Sequence, residues 1–223
     1  MYETILFDLD GTLTDPVKGI TRSIQYALAK FGIIEDDTEK LKKFIGPPLA
    51  ASFAGHYSFS SEKARQAVEY YREYFGETGI FENMVYPGIT RLMSVLQEEG
   101  RCLFVATSKP TVYARRITDH FGLSGFFTEV VGSNLDGSRV NKAEIIGYIL
   151  QEYPGVDKKG TVMVGDREHD IIGARANGIA SVGVAYGYGG TEELASAGPD
   201  HLAESVAALQ QLLIPGGAER GES

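Results

Sequence analysis

The segment Thr4-Ile5-Leu6-Phe7-Asp8-Leu9-Asp10-Gly11-Thr12-Leu13-Thr14-Asp15 decides the reading of this chain. Thr4–Phe7 is a short apolar run, the form of a strand covered on both faces. It stops on two aspartates two positions apart. On an extended chain that spacing puts both carboxylates on one side.

The pattern repeats outward from there. Short apolar runs recur at Cys102–Ala106, Phe127–Val131, Thr161–Val164 and Ala180–Ala185. Between them lie helical patterns at Ile89–Glu99, Thr111–Phe121, Lys142–Tyr153 and Ile171–Asn177, and residues 204–213 read as a closing helix. Gly100, Gly122 and Gly178 stand where helix C-termini belong. This alternation predicts right-handed βαβ units: an α/β fold with a Rossmann-like parallel sheet and helices on both faces. In such sheets the ligand site lies at the carboxyl ends of the strands.

Residues 16–85 break the alternation. Asp15-Pro16 reads as a helix start, and Val17, Ile20, Ile24, Leu28 and Phe31 share one helical face. Ser61 is a candidate cap for a second long helix carrying Ala64, Val68, Tyr71 and Phe75. Gly46-Pro47-Pro48 cannot continue a helix. The expected organisation is therefore an α/β core at 1–15 and 86–214, a helical cap at 16–85 and a flexible tail at 215–223. Inserted after the first strand, the cap would sit over the site as a lid.

Charge follows the same division. The 223 residues carry 21 Lys+Arg against 30 Asp+Glu, a formal charge of −9. Residues 16–85 hold nine of each sign, so the whole excess belongs to the remainder. Net acidity disfavours a nucleic-acid binder or docking on an anionic membrane. The single cysteine, Cys102, excludes an internal disulfide and cysteine-rich zinc patterns. The start of the chain has no basic n-region and no long apolar run, so the expected compartment is the cytoplasm. A site closed by the chain's own cap is compatible with a monomer or a homodimer.

The polar residues after each apolar run would converge on one sheet edge: Asp8 and Asp10 after the first, Thr107-Ser108-Lys109 after the second, Asp166 and Asp170 after the fourth. Lys142 opens the helix before that fourth strand. Four carboxylates in one crevice repel unless a cation holds them. Hard oxygen ligands suit Mg2+. Asp8 could then attack phosphorus, while Asp10 serves as general acid and later general base. Thr107 and the amides after it could bind phosphoryl oxygens, and Lys142 could neutralise transition-state charge. Each residue also has a bland reading: a turn aspartate, an ST-turn threonine, a solvated lysine. The ordered set is what argues against it.

Asp8-Leu9-Asp10-Gly11-Thr12-Leu13-Thr14-Asp15, Ala106-Thr107-Ser108-Lys109-Pro110, Asn141-Lys142 and Gly165-Asp166-Arg167-Glu168-His169-Asp170 resemble the four motifs of the haloacid dehalogenase-like hydrolase superfamily. Thr107–Pro110, Gly165–Asp170 and Gly187-Tyr188-Gly189 resemble its phosphoglycolate phosphatase and 5′-nucleotidase-like branch. The resemblance implies a small α-helical cap and an aspartyl-phosphate on Asp8. It implies a magnesium site formed by Asp8, the Asp10 carbonyl and Asp166, supported by Asp170 directly or through water. Thr12 would shape the turn after the nucleophile. The implied partner is a small phosphorylated metabolite, phosphoglycolate or a nucleoside 5′-monophosphate.

Within the superfamily, Asp10 argues against a dehalogenase. A sugar-phosphate mutase or a pyrophosphatase keeps the same motifs. A non-enzymatic phosphoacceptor domain is shorter and has no cap. Further substrate-contact candidates are Lys109 and the loop residues Gly46 and Pro47. Lys18, Arg22, Lys42 and Lys43 are basic cap residues whose default is solvation, and His169 has a surface reading.

Overall fold

The computed structural model describes residues 1–214; the tail expected at 215–223 lies outside the described residues. A six-stranded parallel sheet forms from β1 (Thr4–Phe7), β4 (Cys102–Pro110), β5 (Glu129–Ser133), β6 (Thr161–Gly165), β7 (Ala180–Val184) and β8 (His201–Ala203). Its order is β5-β4-β1-β6-β7-β8. Strand β1 is central, with Phe7 level with Val105 on one side and Val164 on the other. The chain runs outward to β5 and then crosses back over β1 to β6. That reversal is a topological switch point, where the strand ends splay and open a crevice.

Alternation along the strands divides the core into two faces. Ile5, Phe7, Val105 and Val164 pack with Ile89 and Leu92 of α5 (Ile89–Glu98) and with Leu209 of α10 (Val206–Leu213). Leu6, Phe104 and Met163 pack on the other face against Ile145, Ile146 and Ile149 of α7 (Lys142–Glu152) and Ala174 of α8 (Glu168–Asn177). Helix α6 (Thr111–His120) flanks β4 and β5, and α9 (Gly190–Ala197) packs on α8.

The helical stretch leaves and re-enters through a two-stranded antiparallel ribbon, β2 (Thr14–Asp15) with β3 (Met84–Val85). Between them lie α1 (Val17–Ala29), α2 (Thr38–Lys42), α3 (Leu49–Tyr57) and α4 (Ser61–Glu77). Ile20, Ile24, Leu28, Phe44, Phe53, Tyr71 and Phe75 are buried there. The apolar face read from α1 is the face that α4 covers.

Several local expectations shift. Ser60, not Ser61, caps α4, accepting from the Lys63 amide at 3.2 Å. Pro16 occupies the N-cap position of α1, yet the Asp15 carboxylate still accepts from the Val17 amide at 3.1 Å. The strand expected at Phe127–Val131 lies two residues later, because Phe126 and Phe127 close a 3-10 turn over Ser124–Phe126 and pack on the core instead. Strand β8 and helix α9 add to the elements read from the sequence. His201 and Leu202 are exposed on a three-residue edge, which has no apolar run to signal it. Among the described residues no helix is long and apolar enough to cross a membrane.

Candidate active site

Asp8, Asp10, Thr107, Lys142, Asp166 and Asp170 lie at the carboxyl edge of the sheet, around the switch point. The parallel register of β1 with β4 and β6 delivers Asp8, Thr107 and Asp166 to neighbouring strand ends. Between Ala106 and Pro110 the β4–β5 register is irregular, which releases Thr107, Ser108 and Lys109 from regular pairing.

Lys142 stands at the start of α7 and is 4% exposed. Its Nζ lies 2.9 Å from Asp8 Oδ1 and 2.7 Å from Asp170 Oδ1, and donates to the Ala106 carbonyl at 2.8 Å. The ammonium thus faces two carboxylates and one carbonyl. Burial opposes its charge, but the carboxylates of Asp170 and Asp8 outweigh that and raise its pKa.

Asp8 Oδ1 also accepts from the Leu9 amide at 2.8 Å. One oxygen of Asp8 is thus held twice, while Oδ2 receives no hydrogen bond from the described residues. Asp10 turns the other way: its Oδ2 is 2.7 Å from Lys109 Nζ. Its Oδ1 is buried without a hydrogen-bond partner among the described residues. Burial lifts the Asp10 pKa above the ordinary carboxylate value despite the lysine beside it. Lys109 also lies 4.3 Å from the Phe75 ring centroid, a contact from α4.

Asp166 is fully buried. It accepts from the Tyr188 amide at 2.7 Å and from Thr12 Oγ1 at 3.2 Å. Gly11 must be glycine for this approach: its φ is +86°, and a Cβ there would lie 2.3 Å from Asp166 Oδ2. Asp170 accepts from the Arg167 amide at 3.1 Å.

Asp8, Asp166 and Asp170 each offer a carboxylate oxygen within 4.8 Å of the others. The side chain of Asp10 is outside this trio, turned to Lys109. Burial raises the Asp166 pKa well above its usual value, and the Asp8 and Asp170 charges add to it. Asp170 is pushed up to about 6, chiefly by burial, with Lys142 pulling it down. The trio therefore holds more negative charge than its single lysine offsets. Three hard oxygen donors of this kind fit Mg2+.

This cluster predicts a pH-dependent response to metal. A carboxylate whose folded pKa is raised stabilises the fold below the unfolded pKa, and that contribution is lost as pH rises toward the folded value. For Asp170 the window runs from about 4 to about 6. Protons and cation compete there, so Mg2+ should raise the melting temperature little at pH 5 and much more at pH 7.5. At 100 times Kd the gain is about 2.7 kcal/mol, or roughly 5–10 °C for a chain of this size. Equal Mg2+ shifts at both pH values, or none at 10-millimolar concentrations, would show that the trio is not a cation site.

Asp8, Asp10, Thr107, Ser108 and Lys109 line a cavity of about 520 Å³ between sheet edge and helical insert. Gly46 and Pro47 line it from the insert side. Thr107 Oγ1 accepts from the Lys109 amide at 3.3 Å, so the ST-turn reading also describes it. Of the basic candidates in the insert, Arg22 is paired with Glu82 and Lys42 with Glu39. The basic residues of the insert that line the cavity are Arg65 and Arg72 of α4, with Arg72 itself 2.9 Å from Glu69. Their i, i+7 spacing was the available signal. His169 is exposed.

Comparison with known proteins gives the family and the fold. Residues 5–184 match the haloacid dehalogenase-like hydrolase family. A 5′-nucleotidase of Pseudomonas aeruginosa is 49% identical over 212 residues, covering 95% of this chain and 96% of that protein. The tyrosine-protein kinase PtkA of Mycobacterium tuberculosis is 37% identical over 187 residues, 84% of this chain and 63% of that one. The crystal structure of a predicted phosphatase from Clostridium acetobutylicum superposes with a TM-score of 0.92 at 46% identity, covering 96% of this chain and 98% of that one. With the match over residues 5–184 and the close superposition of the whole fold, the chain belongs to the haloacid dehalogenase-like hydrolase family.

Proposed function

We propose that this phosphatase-type hydrolase acts on a small phosphomonoester, a nucleoside 5′-monophosphate or phosphoglycolate, through an aspartyl-phosphate on Asp8. The observation that carries this reading is the state of Asp8: one oxygen held by Lys142 and the Leu9 amide, the other without a donor, on the wall of the cavity. A carboxylate held this way presents one lone-pair-bearing oxygen to phosphorus without side-chain reorganisation.

In the first step Asp8 Oδ2 forms a bond to phosphorus as the ester P–O bond breaks. The leaving oxygen takes the proton of Asp10, whose raised pKa suits it to carry one. In the second step Asp10 removes a proton from the water that attacks the phosphoryl group, and Asp8 departs as a carboxylate. Lys142 balances charge on Asp8, and the Thr107 hydroxyl and neighbouring amides bind phosphoryl oxygens. Asp8, Asp166 and Asp170 would hold Mg2+, which supplies neutralisation and polarisation of the incoming phosphate. The helical insert acts as the cap, and its Gly46-Pro47 turn faces the leaving group.

The test is phosphate release from a panel of nucleoside 5′-monophosphates, phosphoglycolate, pyrophosphate and a small aryl phosphate. We expect turnover of one of the first two classes, lost on chelation and restored by Mg2+. Turnover that survives chelation, or none with any phosphoester, contradicts the proposal. The kinase name borne by one relative favours a second reading, transfer to a protein hydroxyl. Phosphate transfer from ATP to tyrosine in place of phosphate release distinguishes it.

A further inference from the structure

Arg167 lies inside the fourth motif, yet the mechanism above gives its side chain no part. Its main-chain amide donates to Asp170 Oδ2 at 3.1 Å, so its backbone is tied to the acidic trio. Its guanidinium points away from the trio. Nε lies 2.8 Å from Glu193 Oε1, and Nη2 donates to Glu193 Oε2 at 3.2 Å, a bidentate pair anchored in α9. Glu193 is held in turn by the Glu168 amide at 2.9 Å. The third nitrogen, Nη1, donates to the carbonyl of Ile45 in the cap, 122 residues away in sequence. The side chain is only 14% exposed.

The segment it reaches needs such a donor. Ile45 donates its own amide to the Lys42 carbonyl at 3.0 Å. Pro47 and Pro48 then have no N–H to give. The Gly46-Pro47-Pro48 turn therefore has little backbone hydrogen bonding with which to fix itself at the cavity wall. Gly46 has φ of +104°, and a Cβ there would lie 3.0 Å from Arg167 Cγ and 3.1 Å from Nη1. A side chain at position 46 would therefore crowd the arginine. A planar guanidinium can serve both the bidentate glutamate and the carbonyl; an ammonium cannot.

We propose that Arg167 is a positioning residue that seats the Ile45–Pro48 turn on the cavity wall, and through it sets which leaving groups fit. The inference rests on the phosphatase reading for its kinetic consequence but not for its structural one. Substrates whose leaving group reaches Gly46 and Pro47 depend on this seat. A small aryl phosphate, which reacts at Asp8 without filling that side, does not.

The test compares wild type with Arg167→Lys, Arg167→Met and Glu193→Gln. With the preferred phosphoester from the panel, KM should rise roughly tenfold or more, with kcat/KM for the small aryl phosphate within about twofold of wild type. Hydrogen exchange of amides in residues 44–52 should accelerate in all three variants, with exchange across 161–166 unchanged. A parallel loss on both substrates would place the effect at Asp170 and overturn the proposal, as would unchanged KM. Unchanged exchange at 44–52 overturns it independently, in a measurement that needs no turnover. Failure of the phosphatase reading shows first, as absent activity in wild type.

Discussion

Asp8→Asn should lower phosphate release by about 10⁴-fold or more, the scale seen when a nucleophile is removed from a group acting as a unit. That factor is about 5.5 kcal/mol of barrier. The substitution is nearly isosteric, and an amide oxygen can still accept from Lys142 and the Leu9 amide. The loss would therefore reflect nucleophilicity rather than shape. Asp10→Asn offers the contrast. Its carboxylate lies outside the trio, facing Lys109 at 2.7 Å. Turnover should fall severely, while the Mg2+-induced rise in melting temperature survives. For Asp8→Asn that rise should shrink, because a charged donor has gone. Substantial magnesium-dependent turnover by Asp8→Asn would remove Asp8 as the nucleophile.

The second large effect concerns stability. Lys142→Met removes the cation that faces Asp8 and Asp170 and leaves the Ala106 carbonyl without that donor. Breaking one side of a buried charge pair costs about 3–5 kcal/mol. At roughly 2–4 °C per kcal/mol for a chain of this length, the metal-free melting temperature should drop by roughly 6–20 °C. The sign with pH follows from the carboxylates. Without the ammonium the folded pKa of Asp170, already raised by burial, rises further, so the variant should be more stable near pH 5 than near pH 7.5. Mg2+ should recover more stability in the variant than in wild type, since the trio then has no other positive charge. Turnover should stay at least about 100-fold low even with metal present, as expected when a preorganised charge is lost from a phosphoryl-transfer site. A melting temperature unchanged by Lys142→Met, with or without metal, would mean that the ion pairs at 2.9 and 2.7 Å contribute nothing net.

Both experiments concern residues that the sequence already marks. Asp8 and Asp10 follow the first apolar run, and Lys142 opens a helix whose apolar spacing is plain. Where polar side chains turn was less legible. Four aspartates sharing one crevice was the expectation; Asp10 is turned to Lys109, and three carboxylates remain together. Spacing along a strand states which side a residue faces, not which lysine across the crevice it meets. Arg167 shows the same limit. It stands within a motif, but its partners Glu193 and Ile45 are 26 and 122 residues away. Arg65 and Arg72 line the cavity rather than Lys18, Arg22, Lys42 or Lys43, and composition does not say which face of a helical unit meets the core.

The sequence by itself determined the class of fold, the site at the strand ends, and the residue types gathered there. Those follow from apolar runs, helical periodicity, glycine stops and aspartates at run ends, all signals carried within about ten neighbouring residues. The tertiary structure alone decided the strand order β5-β4-β1-β6-β7-β8, with its short edge strand β8. It also decided the three oxygens around Lys142, the separation of the Asp10 side chain from the trio, and the pairing of Arg167 with Glu193 and the Ile45 carbonyl. These depend on which distant segments pack side by side. Charged groups pair with whatever the crossovers bring within about 3 Å, and short-range sequence patterns carry no record of that distance.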